Sequence, residues 1–265
     1  MLAIEEMDIF GFTKVNLQLT KNEIEWFKND IQQRKNAEIS KYGKEKLAKT
    51  GTLDVVRNLF RFCPEYIKLL ESKTLNNLTN KLLSKTAILH DVFAMLNTTS
   101  DNMNLTRNKF HRDQPCLKNI RSSILFLIFL VDSTPTNGTT QVVPATHVMK
   151  KQPSNKFLEK HKINLTARAG DAFLMDGALI HKAGINSTNE ARPLIIIRYQ
   201  LAFMKQSTNL CNVYKSELEA TTNELIRQRM GWYCRGMDSA SEWNDENNPK
   251  WGRGLYEMKG AWINE

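Results

Sequence analysis

The chain has 265 residues, room for one generous domain or a core with an added lid, and too few for two full-sized domains. Hydrophobic residues make up 41% and charged residues 25%, the balance of an ordinary globular protein, and the longest apolar run, ILFLIFLV over 124–131, is strand-sized rather than membrane-spanning. The net charge of +9 suggests an anionic partner (nucleic acid, an acidic carrier protein, or a small molecule bearing phosphate or carboxylate) or simply a solvated basic surface.

The lysines are dispersed, and no basic run is interleaved with aromatics, so nucleic acid is not the expected partner and a small-molecule substrate is. The opening MLAIEEMDIF carries acids where a secretory leader is basic, and no apolar segment follows it, so a cytoplasmic address is expected, with no membrane. Cys63, Cys116, Cys211 and Cys234 lack CxxC spacing and read as reduced thiols rather than as disulfides or zinc ligands.

In chain order, IFGFTKVN is strand-like. Thr20 with Glu23 then forms a capping box that starts a helix through NEIEWFKNDIQQRK. Residues 36–58 are polar and irregular in pattern, with the densest lysine cluster in KYGKEKLAK, 41–49. VVRNLFRF, carrying Arg57, Asn58 and Arg61, reads first as helix with its arginines on the polar face, and second as two arginines among apolar residues that receive an anionic substrate. From Pro64 to Leu89 the leucines recur at helical spacing and predict two packed helices, with His90 ending the second segment.

From there to Phe203 short β-rich runs (DVFAMLN, the run over 120–131, TTQVVP, INLTARAG, DAFLMD, PLIIIRYQLAF) alternate with turn clusters such as DSTPTNG, the pattern of a β-sandwich or jelly roll. From about Tyr214 the pattern returns to helix and then to a Gly-rich aromatic segment that includes Trp232, Tyr233 and Trp251. The expected architecture is one domain over 1–265, mainly β with flanking helices: a helical region and lid over 1–89, a β core over 90–205, and a closing helix and segment over 206–265.

The chemistry-bearing pattern lies in the β region. His111 and Asp113, in FHRDQ, are two residues apart, so an extended backbone places both side chains on one face. His181 follows in GALIHKAG. Two imidazoles and one carboxylate are the ligand set of a non-heme Fe(II) facial triad, which leaves three octahedral positions for a bidentate cosubstrate and dioxygen. HxD alone is a common pair. Its support is Arg192, eleven residues after His181 at the head of an apolar strand, where a planar cation needs a carboxylate. Arg198 has the same strand parity and reads either as a second pocket residue or as one half of a core ion pair. His147 and His161 read as structural and solvated, respectively.

These motifs resemble, in order and over almost the whole chain, the phytanoyl-CoA dioxygenase-like family of Fe(II)/2-oxoglutarate oxygenases. FGFTKVNLQLTKNEIEWFKNDI is similar to that family's first strand and helix, FHRDQ to its first metal motif, NGTTQVVPATH to its NGPL-x-V-x-PGSH segment, and GDAFLMDGALIHKAGINSTNEARPLIIIRYQ to its second-histidine and arginine block. The resemblance implies a double-stranded β-helix of the cupin kind. It implies iron on His111, Asp113 and His181, 2-oxoglutarate on Arg192, and O2-dependent hydroxylation with release of succinate and CO2. Retention of Asp113 favours hydroxylation over halogenation, which in related enzymes accompanies loss of that carboxylate. Two positions depart from the family: Ala183 stands where a hydroxyl residue is common, and Pro144-Ala145-Thr146-His147 lacks the family's glycine. Thr140 and Thr98 are the candidates for the remaining cosubstrate contacts. The rival readings are a nucleic-acid-binding or nucleic-acid-modifying protein on a β-sandwich, and a non-catalytic member of the fold.

Overall fold

The computed structural model describes residues 2–98, 108–236 and 239–243. The elements in order are α1 (Leu2–Ile9), β1 (Phe12–Asn16), α2 (Lys21–Tyr42), α3 (Lys44–Lys49), β2 (Val55–Val56), α4 (Pro64–Leu70), α5 (Lys73–Leu82), β3 (Ile88–Met95), β4 (Ser123–Phe129) and β5 (Thr140–Val142). They continue with α6 (Asn155–His161), β6 (Ile163–Asn164), β7 (Asp171–Asp176), β8 (His181–Ala183), β9 (Leu194–Gln200), α7 (Leu210–Val213), α8 (Lys215–Ala220), α9 (Glu224–Met230) and α10 (Ala240–Trp243). No helix among the described residues is long and apolar enough to cross a membrane.

The chain divides into two compact units, 1–60 with 92–198 and 61–91 with 199–265, two of the three boundaries falling within β3 and β9. The first unit carries most of the β structure. A six-stranded sheet runs in the order β1-β7-β4-β9-β3-β2, and a three-stranded sheet in the order β6-β5-β8. The pairs β1–β7, β2–β3, β4–β7, β5–β6 and β5–β8 are antiparallel, for example Leu125 opposite Met175 and Val142 opposite His181. This is the jelly-roll arrangement that the short, turn-punctuated runs predict.

Burial explains the strand sequences. All seven residues of SILFLIF in β4 are buried, so this central strand shows no apolar–polar alternation. Its odd-numbered residues Leu125, Leu127 and Phe129 join Phe173 and Met175 of β7, Leu194 and Ile196 of β9, and Val142 of β5 in one apolar cluster. At about 25 cal/mol per Å2 of apolar surface, each such side chain contributes roughly 2 kcal/mol.

The capping box at the start of α2 is present: the Glu23 amide donates to the Thr20 hydroxyl, and the Thr20 amide donates to the Glu23 carboxylate at 2.8 Å. Elsewhere the sequence pattern misleads. A helix, α1, precedes the first strand, and α2 continues to Tyr42 through sequence without apolar rhythm, burying Ile24, Phe27, Asp30, Ile31 and Lys35. The buried Lys35 ammonium donates to the Thr52 carbonyl at 3.3 Å and to Glu38 at 3.4 Å, so an ion looks polar in sequence yet belongs to the packed face. VVRNLFRF is not helical. It is the short strand β2 followed by irregular backbone, with Arg57 and Arg61 exposed and Asn58 at φ 50°. His90 does not close a helix; it lies within β3, paired through Nδ1 with Gln200 at 2.7 Å.

In the second unit α4 and α5 match the predicted pair of helices, with Pro64 in the first turn of one and Ser72 capping the other. The hub of this unit is Arg229, 1% exposed, which donates to Asn76, Asn80 and the Ala87 carbonyl and lies over the Tyr199 ring at 5.5 Å.

Candidate metal and cosubstrate site

The candidate ligands converge on one point in the first unit. His111, Asp113 and His181 each offer a ligand atom, and these atoms lie within 4.8 Å of one another. His181 opens β8, opposite Val142 of β5. On the other side of β8, His111 forms an isolated antiparallel bridge with His181, their backbone amides and carbonyls exchanging two 3.0 Å hydrogen bonds. One backbone ladder thus sets both imidazoles side by side, ring centroids 4.4 Å apart.

Each ring is aimed by its second nitrogen. His111 Nδ1 is 2.8 Å from the Lys109 carbonyl, and His181 Nδ1 is 2.9 Å from the Leu179 carbonyl. An Nδ1–H donated to a carbonyl leaves the lone pair on Nε2, and both Nε2 atoms face the Asp113 carboxylate, at 3.7 Å and 3.9 Å. Burial pushes the His181 imidazole below its ordinary value, against the attraction of Asp113, while His111 and Arg198 add smaller repulsions. At neutral pH this ring is the neutral, metal-binding form.

Asp113 is positioned by its own backbone and its neighbours. The amides of Asp113 and Gln114 both donate to the Gly177 carbonyl, at 3.1 and 2.9 Å. Arg112, between the two ligands, points away from them and donates to the carbonyls of Ala178, Thr146 and Met149. Gly177 is required by space, because a Cβ there would lie 1.9 Å from the Ser123 hydroxyl. On the outer side Phe110 packs against Val143, Leu158 and Ile180. Neither Arg112 nor Gly177 was identified from the sequence; the only trace of Arg112 is a long cation at opposite parity between two ligands.

Arg192 is 1% exposed. Its Nε donates to the Gly138 carbonyl at 3.1 Å and its guanidinium lies 5.6 Å from the centre of the Phe129 ring. The two terminal nitrogens are buried and have no hydrogen-bond partner among the described residues. Burial alone pushes the guanidinium down to about 10. Gly138 precedes β5, whose Thr140 pairs with Ala183 and whose Val142 pairs with His181, so Arg192 is held at the far end of the ladder that begins at the second histidine. Gly138 itself has φ +80°, and its carbonyl also accepts from Asn97 at 2.7 Å.

The other candidates are placed less directly. Thr140 is buried in β5. The Thr98 hydroxyl donates to the buried Asp54 carboxylate at 2.6 Å. Arg198 is half-buried, and its charge is felt at His181. His147 is buried with Nε2 3.2 Å from the Asp8 carbonyl, and His161 stacks on Phe157, so neither joins the cradle. Ala145, in the position of the missing glycine, takes the left-handed conformation at φ 62°, ψ 6°. Trp251 lies outside the described residues.

Comparison with known proteins identifies a family and a shared fold. The family model described as Phytanoyl-CoA dioxygenase (PhyH) matches residues 7–194. The Mycobacterium tuberculosis protein Rv1501 is 28% identical over 212 residues, covering 77% of each chain. The Fe(II)/2-oxoglutarate-dependent dioxygenase nvfF of Aspergillus novofumigatus is 30% identical over 131 residues, 46% of this chain and 43% of nvfF. Among solved structures, AviO1 from Streptomyces viridochromogenes superposes with a TM-score of 0.60 at 20% identity, over 78% of this chain and 97% of AviO1, a likeness of fold.

Proposed function

The chain belongs to the phytanoyl-CoA dioxygenase (PhyH) family, and on that premise we propose that it is an Fe(II)- and 2-oxoglutarate-dependent hydroxylase of a small-molecule metabolite. The observation that carries the cosubstrate assignment is Arg192. A buried guanidinium with two unpartnered terminal nitrogens is costly unless an anion completes it, and a carboxylate fits its planar fork bidentately. One carboxylate of 2-oxoglutarate would supply the missing partner of this fork.

In this reading Nε2 of His111, Nε2 of His181 and the Asp113 carboxylate hold the iron. Bound iron, 2-oxoglutarate and dioxygen supply oxidative decarboxylation to succinate and CO2, with the second oxygen atom delivered to a substrate C–H bond. The chain's own residues supply position and charge. The Lys109 and Leu179 carbonyls fix the histidine tautomers, the Gly177 carbonyl and Arg112 hold the Asp113 turn, and Phe129 packs beneath the Arg192 guanidinium. Retention of the Asp113 carboxylate as a third candidate ligand favours hydroxylation over halogenation. The net charge of +9 and the nearby Arg198 charge favour an anionic substrate.

Anaerobic addition of Fe(II) and 2-oxoglutarate is expected to produce a weak visible charge-transfer band, and His111→Ala to abolish it. A band of undiminished strength in His111→Ala would refute the metal assignment. Substrate-dependent succinate formation across a panel of anionic and neutral metabolites then tests the substrate class.

A further inference from the structure

The ladder that starts at Val142 opposite His181 and passes Thr140 opposite Ala183 continues to a bridge between Asn137 and Asn186. A buried carboxamide spans this far end. Asn97, two residues past β3 and 4% exposed, donates from Nδ2 to the Gly138 carbonyl at 2.7 Å and to the Gly184 carbonyl at 3.4 Å. Its own backbone carbonyl accepts from Asn186 Nδ2 at 2.6 Å, and the same nitrogen donates to the Glu190 carbonyl at 2.8 Å, two residues before Arg192. One residue thus ties together the end of β3, the approach to β5 and the loop after β8, all inside the first unit.

The backbone around it makes room for this one side chain. A Cβ on Gly138 would lie 2.2 Å from the Asn97 Nδ2, so glycine there is the condition for the close approach. Asn97 itself stands at φ 41°, in the left-handed region that asparagine visits more readily than most side chains. The Gly138 carbonyl that it holds is shared, because the Arg192 Nε donates to the same oxygen at 3.1 Å. The terminal nitrogens of Arg192 have no hydrogen-bond partner among the described residues, so the Nε bond and the Phe129 ring set the direction of the fork. A bidentate contact with a carboxylate depends on that direction, and an anchor free to tilt would let the fork swing out of it.

We propose that Asn97 is a positioning residue for cosubstrate binding: its carboxamide pins the Gly138 carbonyl, and that carbonyl aims the Arg192 guanidinium. The inference rests on the reading of Arg192 as the anchor of 2-oxoglutarate. It adds a residue outside the metal ligands and the arginine, at the end of a strand that contributes no ligand, through which β3 governs how tightly the cosubstrate's distal carboxylate is held.

Two measurements test it. The first uses the ligand-free protein and reads hydrogen exchange of the Arg192 Nε–H by NMR, the signal being assigned by its loss in Arg192→Met. Asn97→Gly keeps the left-handed backbone and deletes the carboxamide. It should speed that exchange about tenfold, while the Nε–H of Arg229, bonded to Asn76 in the second unit, stays within about twofold. The second titrates the visible band of the anaerobic Fe(II) protein with 2-oxoglutarate and with 2-oxopentanoate, which carries a methyl group in place of the distal carboxylate. Asn97→Gly should weaken 2-oxoglutarate about tenfold, leave 2-oxopentanoate within about twofold, and add nothing to the loss caused by Arg192→Met. Unchanged exchange at Arg192, equal acceleration at Arg229, equal weakening of both 2-oxo acids, or additivity with Arg192→Met overturns the inference. A wild type that takes up no 2-oxoglutarate overturns instead the cosubstrate reading, and the exchange result still decides whether Asn97 holds the arginine. Asn97→Asp, of the same shape with acceptors in place of the donors, replaces Asn97→Gly if thermal melts show that the glycine variant is unfolded.

Discussion

Replacing Arg192 by methionine separates a binding role from a structural one. Methionine keeps much of the volume and removes the charge. The guanidinium is 1% exposed, and burial pushes it well below its ordinary value, down to about 10. That depression corresponds to roughly 3 kcal/mol acting against the charged form in the ligand-free protein. Opposing it are the Nε bond to Gly138 and the contact with the Phe129 ring, each about 1 kcal/mol. The balance predicts that Arg192→Met raises the stability of the metal- and cosubstrate-free protein by about 1 kcal/mol, a rise in Tm of roughly 2–4 °C. The same substitution removes the stabilisation that 2-oxoglutarate with Fe(II) confers on the wild type. Thermal melts of both proteins, with and without Fe(II) and 2-oxoglutarate under anaerobic conditions, read both effects. If Arg192→Met instead lost about 3–5 kcal/mol in the ligand-free state, the arginine would be an internally satisfied structural ion. The reasoning that assigns it a carboxylate would then fail.

Other consequences are equally direct. Gly177→Ala drives a Cβ to 1.9 Å from the Ser123 hydroxyl, so it should cost about 1–3 kcal/mol and weaken iron binding through the displaced Asp113 turn; adding Ser123→Gly should recover most of both losses, and no recovery would refute the steric account. Ala145→Gly relieves a left-handed backbone and should stabilise the protein by about 1 kcal/mol in chemical denaturation; a loss of stability would show that the strain is absent. Burial lowers both His147 and His181 from 6.5, so the unfolded chain binds more protons just below that pH and the ligand-free protein should lose stability as pH falls through 6.5. His147→Gln should reduce that slope in a series of melts against pH, and an unchanged slope would remove His147 from the explanation.

The strands and the capped helix α2 are legible because their signals are local: β-branched and aromatic runs between turn clusters, and a Thr20–Glu23 box that closes within one turn. The tail of α2 and the character of β2 are not legible in this way. Lys35 is buried through a hydrogen bond to the Thr52 carbonyl, which packing brings to it, beside Glu38 one turn on in its own helix, and Arg57 follows a two-residue strand defined by its pairing with β3. His90 belongs to a strand rather than a helix end for the same reason: β3 is defined by its neighbours in the sheet, and leucine spacing upstream says nothing about them.

By itself the sequence determined the jelly-roll class and the set of chemical groups: two histidines, one carboxylate between them in type, and an arginine on an apolar strand, since ligand identity and strand parity are properties of residue order. Only the tertiary structure decided that these groups meet. The His111–His181 bridge joins residues seventy positions apart, Arg112 reaches three carbonyls to hold the turn between the ligands, and the Gly138 carbonyl fixes Arg192 with its fork unpartnered. Those are long-range contacts, and their energies depend on distance and burial, which residue order does not contain.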